Sequence, residues 1–319
     1  MKKQLLIAAV AATMTSVAIA DISITGGTKV NYTTVDFDSA TKAATNNFNH
    51  EVDLKVVGKT GDTTVVVKLG NLEASNDSAD AHGVDIEDSY LTTKVGDVSI
   101  KAGSWDNGNN ALRASGRAAN KLSTSTTMSG VTLTYNASST GGDVNDSAKI
   151  SGAIAGVKAS YEDTESGETI GLSTSVAGMN VSYLAINSDT AESDRSAVEV
   201  SGSFGGMGVK VAQANADAEA TIQGDTWMGD FEGASGAYKL TKGQDVTSIE
   251  LSTSMAGNAI KFRNTKVDDV AGENMSFNKV IITRPLANGT TFEATYTDLD
   301  DSDALNDSTT LDLELAVKF

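Results

Sequence analysis

Residues 309–319 read Thr-Thr-Leu-Asp-Leu-Glu-Leu-Ala-Val-Lys-Phe, and the fold follows from how this stretch alternates. Leu311, Leu313, Leu315, Val317 and Phe319 fall on one side of an extended chain, while Asp312, Glu314, Ala316 and Lys318 fall on the other. Successive side chains of a strand point to opposite faces, so the segment has one apolar side and one wetted side. The edge strand of a soluble sheet shows the same pattern. The rest of the chain separates the two readings.

The alternation recurs upstream. Phe48, His50, Val52, Leu54 and Val56 share one face, and Asn49, Glu51, Asp53 and Lys55 share the other. A turn over Gly58–Asp62 leads into Thr63, Val65, Val67 and Leu69, again one face of a strand. Short glycine turns repeat at Val95-Gly-Asp97, Met128-Ser-Gly130, Ile154-Ala-Gly156, Val176-Ala-Gly178, Phe204-Gly-Gly206 and Met255-Ala-Gly257, the chemistry of tight hairpins. Between them lie polar segments at 34–47, 71–83, 105–119, 138–147, 188–195, 267–273 and 299–308. The pattern predicts hairpins with short turns at one rim and longer loops at the other. Counting alternating runs from 22–33 to 309–319 gives eighteen strands; one hairpin fewer gives sixteen. Residues 215–245 hold Trp227, Phe231 and Tyr238 without a two-residue period and read as a long loop, with room for a small hairpin.

The N-terminus reads Met1-Lys-Lys-Gln-Leu-Leu-Ile-Ala-Ala-Val, with Ala18-Ile-Ala20 before Asp21. A charged start, a short apolar run and small residues at −3 and −1 make a secretory signal peptide over 1–20, leaving 21–319 as one mature domain. Cleavage removes Lys2 and Lys3 and takes the formal charge from −18 to −20. No window after residue 20 approaches the roughly 20 apolar residues of a membrane helix. A membrane protein without such helices is a closed barrel, because only closure satisfies every backbone group in lipid. An apolar content of 39% suits a barrel in which only half of each strand is oily. Thirty glycines against the single Pro285 suit long sheets with tight turns. With no cysteine, the exported chain relies on a continuous ladder rather than on disulfides. The acidic balance argues against nucleic acid and, at long range, favours cations.

Aromatic residues make up only 5% of the chain, which is sparse for a membrane barrel. Tyr32, Tyr135, Tyr161, Tyr183 and Tyr296, however, each lie near a strand's entry into a long loop, where an interfacial girdle would form. The competing reading is that tyrosine simply favours strands.

A strand that ends the chain on Phe319 resembles the C-terminal strand of Gram-negative outer-membrane barrels, where that residue is part of the assembly signal. Ile86-Glu-Asp-Ser-Tyr-Leu-Thr-Thr-Lys-Val-Gly-Asp-Val-Ser-Ile-Lys-Ala-Gly-Ser104 resembles the fourth and fifth strands of the general bacterial porins, and 121–135 resembles their next hairpin. The likeness of layout covers nearly the whole chain. It implies an all-β, transmembrane antiparallel barrel of 16–18 strands, with short periplasmic turns and longer extracellular loops. It also implies a third loop, here 105–119, folded into the lumen to narrow the pore. The implied function is passive diffusion of small hydrophilic solutes across the outer membrane, in a homotrimer among lipid and lipopolysaccharide, delivered by the barrel-assembly machinery.

On this reading Arg113, Arg117, Asp106 and Lys121 are the constriction candidates. Many family members carry carboxylates on this loop, whereas this loop has one acid and two arginines, so the polarity of the constriction is reversed or weakened. A short helical turn would align Arg113 with Arg117. Glu51, Asp53, Lys55, Asp312, Glu314 and Lys318 are expected to line the lumen.

Catalytic chemistry is not nominated. His50 and His82 are the only histidines, His50 lies on an apolar face, and no Cys/His cluster or Gly-x-Ser-x-Gly elbow is present. Gly202–Gly208 straddles a hairpin turn with no helix after it, so it is not a phosphate loop. Acidic clusters at 76–80 and 298–303 lack EF-hand spacing and read as solvated loops, with weak divalent-cation bridging to lipopolysaccharide phosphates as the minority view. No cofactor and no metal are expected. Two rival readings stay open: a non-channel surface barrel or adhesin, and a secreted acidic β-solenoid or surface-layer protein.

Overall fold

A computed structural model describes residues 21–39, 41–70, 84–108, 110–112, 117–140, 143–220, 243–269, 274–302 and 306–319. The segment expected to be the signal peptide, residues 1–20, lies outside them. The first strands are β1 (Asp21–Phe37), β2 (Thr45–Thr60), β3 (Thr63–Gly70), β4 (Asp85–Val95), β5 (Val98–Asp106) and β6 (Arg117–Met128). The next are β7 (Val131–Thr140), β8 (Asp143–Ile154), β9 (Val157–Thr164), β10 (Gly167–Val176), β11 (Met179–Ser188) and β12 (Arg195–Phe204). The last are β13 (Met207–Ala216), β14 (Gln244–Met255), β15 (Asn258–Asp269), β16 (Met275–Pro285), β17 (Thr290–Asp301) and β18 (Ser308–Lys318).

Every strand pairs antiparallel with its chain neighbours, and β1 pairs with β18, so the eighteen strands close on themselves. This ladder is what closure in lipid demands, and it disposes of the solenoid reading. The two-residue turns 129–130, 155–156, 177–178, 205–206 and 256–257 lie at one rim and hold positive φ at both positions, as type I′ turns require. The β16–β17 connection at that rim is longer and contains a 3-10 turn over Ala287–Gly289.

Strands run further than the alternation implied. Segment 138–147 is almost entirely strand, and β1 and β17 continue to Phe37 and Asp301. Ladder hydrogen bonds continue where both faces meet water, but there the contrast between faces disappears and the sequence no longer marks a strand. Both ends of the loop expected over 105–119 are strand, through Asp106 and from Arg117, and most of the 215–245 loop lies outside the described residues.

The outer face carries two apolar edges. Val95, Met128, Ile154, Val176, Phe204 and Met255 each precede a short turn and are exposed. At the opposite edge Tyr32, Tyr135, Tyr161, Tyr183 and Tyr296 are exposed as well. Three of their hydroxyls donate toward polar rim side chains: Tyr32 to Asn46 (3.2 Å), Tyr135 to Asp146 (3.1 Å) and Tyr161 to Glu168 (2.8 Å). An apolar ring body with a wetted tip is the arrangement of a membrane-interface belt.

The C-terminus closes the barrel. Phe319 N–H donates to Gly26 O (3.0 Å) and Gly26 N–H donates to Phe319 O (2.8 Å). A Cβ at position 26 would stand 2.7 Å from the Phe319 ring and from the Asp53 carbonyl oxygen. Glycine at 26 is thus the seat of the terminal ring.

Candidate functional site

Paired residues of an antiparallel ladder share a face, so the register places each lumenal candidate. Lys29 pairs with Glu51, Gly27 with both Asp53 and Lys318, Thr25 with Lys55, Thr33 with Asp312 and Asn31 with Glu314. All lie on the face opposite the tyrosine belt. Lys29 Nζ stands 2.7 Å from Glu51 Oε2, and Thr33 Oγ1 donates to Asp312 Oδ1 (3.0 Å). Lys55 and Lys68 are direct cross-strand partners, a repulsive arrangement. Lys68 turns to Asp53 (3.6 Å) and Glu87 instead.

Across the lumen, Lys210 pairs with Glu199 (3.3 Å), and Arg263 donates to Glu250 Oε2 through Nε (3.1 Å) and a terminal nitrogen (2.6 Å). Between these walls many inner positions of β6–β11 are small and hydroxylic, Ser125, Thr134, Ser151, Ser160, Ser173 and Ser182 among them, while Lys121, Lys158, Leu184 and Ile186 share the same face. Lys149 and Glu162 (3.7 Å) interrupt them, with Ser147 donating to Glu162 (2.9 Å). This wall offers hydrogen bonds and little bulk.

The third loop springs from β5 and β6. Its root is built by an aromatic and lysine cluster that the sequence reading overlooked. The Tyr90 and Trp105 rings meet edge-on, with centroids 6.2 Å apart and planes at 72°. Lys101 Nζ lies 4.0 Å from the Tyr90 centroid and 4.3 Å from that of Trp105, and Lys121 Nζ also lies 4.3 Å from Trp105. Cations over ring faces are attracted by the ring quadrupole, more so when shielded from water. Gly103, with φ +133°, lets β5 pass close to Tyr90, where any side chain would collide with the Ser89 carbonyl.

Lys121, expected at the constriction, is only 7% exposed. Its ammonium donates to Trp105 O (2.5 Å) and Asn107 Oδ1 (2.6 Å), so it ties down the start of the loop. Asp106 plays a similar part: its N–H donates to Asp88 Oδ1 (3.2 Å), and its own Oδ1 accepts from Gly108 N–H (2.7 Å). Arg113 lies outside the described residues. Arg117 is the first residue of β6, paired in register with Asp106, so the helical turn expected to align the two arginines does not include it.

The loop's tip reaches the far wall. Leu112 has 0% exposure and clusters with Ile186, Ala197, Ala212, Ala214, Val246 and Val267. The register puts Ile186 opposite Arg195, Ala197 opposite Ala214, Ala212 opposite Glu199 and Val246 opposite Val267, all on the lumenal face of β11–β15. Leu112 can touch that face only from inside the barrel. The third loop therefore crosses the lumen, fastened at its root by Lys121 and at its tip by Leu112. Leu112, the one large aliphatic residue between Trp105 and Leu122, is the local signal for this contact.

No family model and no curated protein matches the sequence. Solved structures do match in shape. OccAB4 of Acinetobacter baumannii is 10% identical, covers 94% of this chain and 98% of its own, and superposes with a TM-score of 0.67. A BenF-like porin from Pseudomonas fluorescens Pf-5 is 12% identical over 94% and 98% of the two chains, with a TM-score of 0.68. An anion-selective porin from Comamonas acidovorans is 13% identical over 94% and 100%, with a TM-score of 0.56. The chain thus has the porin fold, a closed eighteen-stranded antiparallel barrel with its third loop turned into the lumen.

Proposed function

We propose that this protein is a passive diffusion channel for small hydrophilic solutes and ions in the outer membrane of a Gram-negative bacterium. The observation that carries the reading is the third loop docked through Leu112 on the opposite wall, inside a barrel whose free inner surface is hydroxylic and charged. A barrel built only to anchor surface loops has no need of a wetted interior with a strap across it. Solutes move down their gradient, limited by the narrowest ring of side chains. No catalytic step and no cofactor enter this function.

The tyrosine and turn-side apolar belts support a membrane-spanning orientation with short turns toward the periplasm and long loops outside. We further assign Phe319 to recognition by the barrel-assembly machinery, lipopolysaccharide to the outer rim, a homotrimer to the assembled state, and Arg113 and Arg117 to the constriction. Planar-bilayer recordings of the purified protein test the channel. Discrete, ohmic steps in 1 M KCl are expected, along with swelling of liposomes in small sugars. A folded barrel that never conducts would leave the surface-protein alternative in its place.

A further inference from the structure

Charge is segregated along the barrel axis. Near the short-turn rim the inner wall presents Lys59, Lys94, Lys158, Lys261 and Lys318, all exposed. Their register partners are lumenal: Asp21 for Lys59, Ser99 for Lys94, Ser173 for Lys158, Ser252 for Lys261 and Gly27 for Lys318. None of the five has an ion pair among the described residues. Opposing charge at this level comes from Asp21, from Glu293 and its register partner Glu314, from Asp53 across Gly27 from Lys318, and from the turn residues Asp62 and Asp97. The long-loop rim is the reverse. Asp38, Glu165, Asp189, Glu192 and Asp217 lie in its loops and are exposed, against Lys42 and the lumenal Arg195, whereas Asp245, Asp268, Asp300 and Lys266 stand on the outer face.

We propose that this separation makes the pore a rectifier, passing more current when the long-loop side is positive. The inference rests on the diffusion-channel reading. A strand of about 11 residues tilted by about 40° carries the chain roughly 28 Å along the axis, so the two charged mouths stand about three screening lengths apart in 0.1 M salt. Each mouth then enriches its own counter-ion, cations at the long loops and anions at the short turns. A long-loop-positive bias drives both enriched ions toward the middle of the pore, and they accumulate. The opposite bias draws both outward and depletes the lumen. Net charge alone, at −20 for the mature chain, predicts a uniformly cation-filled pore and no such asymmetry.

The test is single-channel recording at ±100 mV in KCl. Insertion direction is fixed with Ser129→Cys, which places the chain's only thiol at a short turn. A charged thiol reagent added to one chamber then identifies which mouth faces it. The expected ratio of forward to reverse current is about 1.5 to 2 in 0.1 M KCl and close to 1 in 1 M, where screening falls to about 3 Å. Lys94→Gln/Lys158→Gln/Lys261→Gln should bring the low-salt ratio close to 1 while open-channel steps persist. Linear currents in 0.1 M salt, the opposite sign, or a ratio untouched by the triple substitution would each overturn the inference. The salt dependence of the unsubstituted protein decides the matter if the triple variant does not fold. Absence of any conductance counts instead against the channel itself.

Discussion

Replacing Leu112 should loosen the strap across the pore without loosening the barrel. Its side chain is fully buried against alanines, valines and an isoleucine of the far wall, and its N–H is held by Asn110 Oδ1 at 2.8 Å. Truncating a fully buried leucine to alanine costs about 2–5 kcal/mol; a middle value of about 3 kcal/mol lowers the ratio of docked to undocked loop on the order of 10²-fold. Leu112→Asp goes further, since a carboxylate on that apolar wall has no paired charge among the cluster residues and avoids the contact. The eighteen-strand ladder does not pass through residue 112, so its backbone hydrogen bonds are untouched. The assay is single-channel conductance and open-channel noise in 1 M KCl, with heat-modifiable migration as the measure of barrel integrity. Both variants should migrate as folded barrels; Leu112→Asp should give larger, noisier steps, and Leu112→Ala an intermediate effect. Wild-type conductance and noise in folded Leu112→Asp would refute the docking argument.

Three further outcomes are expected. Deleting Phe319, or filling its seat with Gly26→Leu, should lower the amount of folded, heat-modifiable protein recovered in outer-membrane fractions; normal recovery of both would remove the terminal ring from assembly. Leu54→Arg, on the outer face, should cost on the order of 2–4 kcal/mol and impair folding, whereas lumenal Asp53→Asn should chiefly change conductance; equal tolerance in urea titrations would reverse the face assignment. Arg113→Ala/Arg117→Ala should move the reversal potential in a salt gradient toward cations, and an unchanged potential would take both arginines out of the constriction.

Eighteen strands were legible because a barrel wall between oil and water imposes a two-residue period on its sequence. Leu313 against Glu314 and Val52 against Asp53 announce their faces without any partner in view. Positive-φ pairs such as Ala177-Gly178 announced the short turns in the same local way. Legibility ended where the period did. Above the tyrosine belt both faces are wet, so the upper parts of β7 and β8 looked like loop.

The lumenal site was legible only in part. The ladder register gives Glu51, Asp53, Lys55 and Glu314 one face, the one the alternation expects to be lumenal, whereas Lys121, expected at the constriction, is a buried tie between β6 and the loop. Nothing local to Lys121 distinguishes these roles, because its partners, the Trp105 carbonyl and Asn107, are brought to it by the bulged pairing of β5 with β6.

By itself, then, the sequence determined what obeys a local rule: a barrel of sixteen to eighteen strands, the faces of side chains where the alternation is clean, the turns, and the terminal aromatic. Tertiary structure decided what depends on closure. Only a closed ring sets β5–β6 opposite β11–β15, so that Leu112 finds an apolar patch made by five strands, none of which reads as a binding surface alone. The same ring gathers lysines scattered from residue 59 to 318 at one mouth. Charge and apolar contact act through space over about 10 Å or less, and distances of that size between remote residues exist only once the chain has folded.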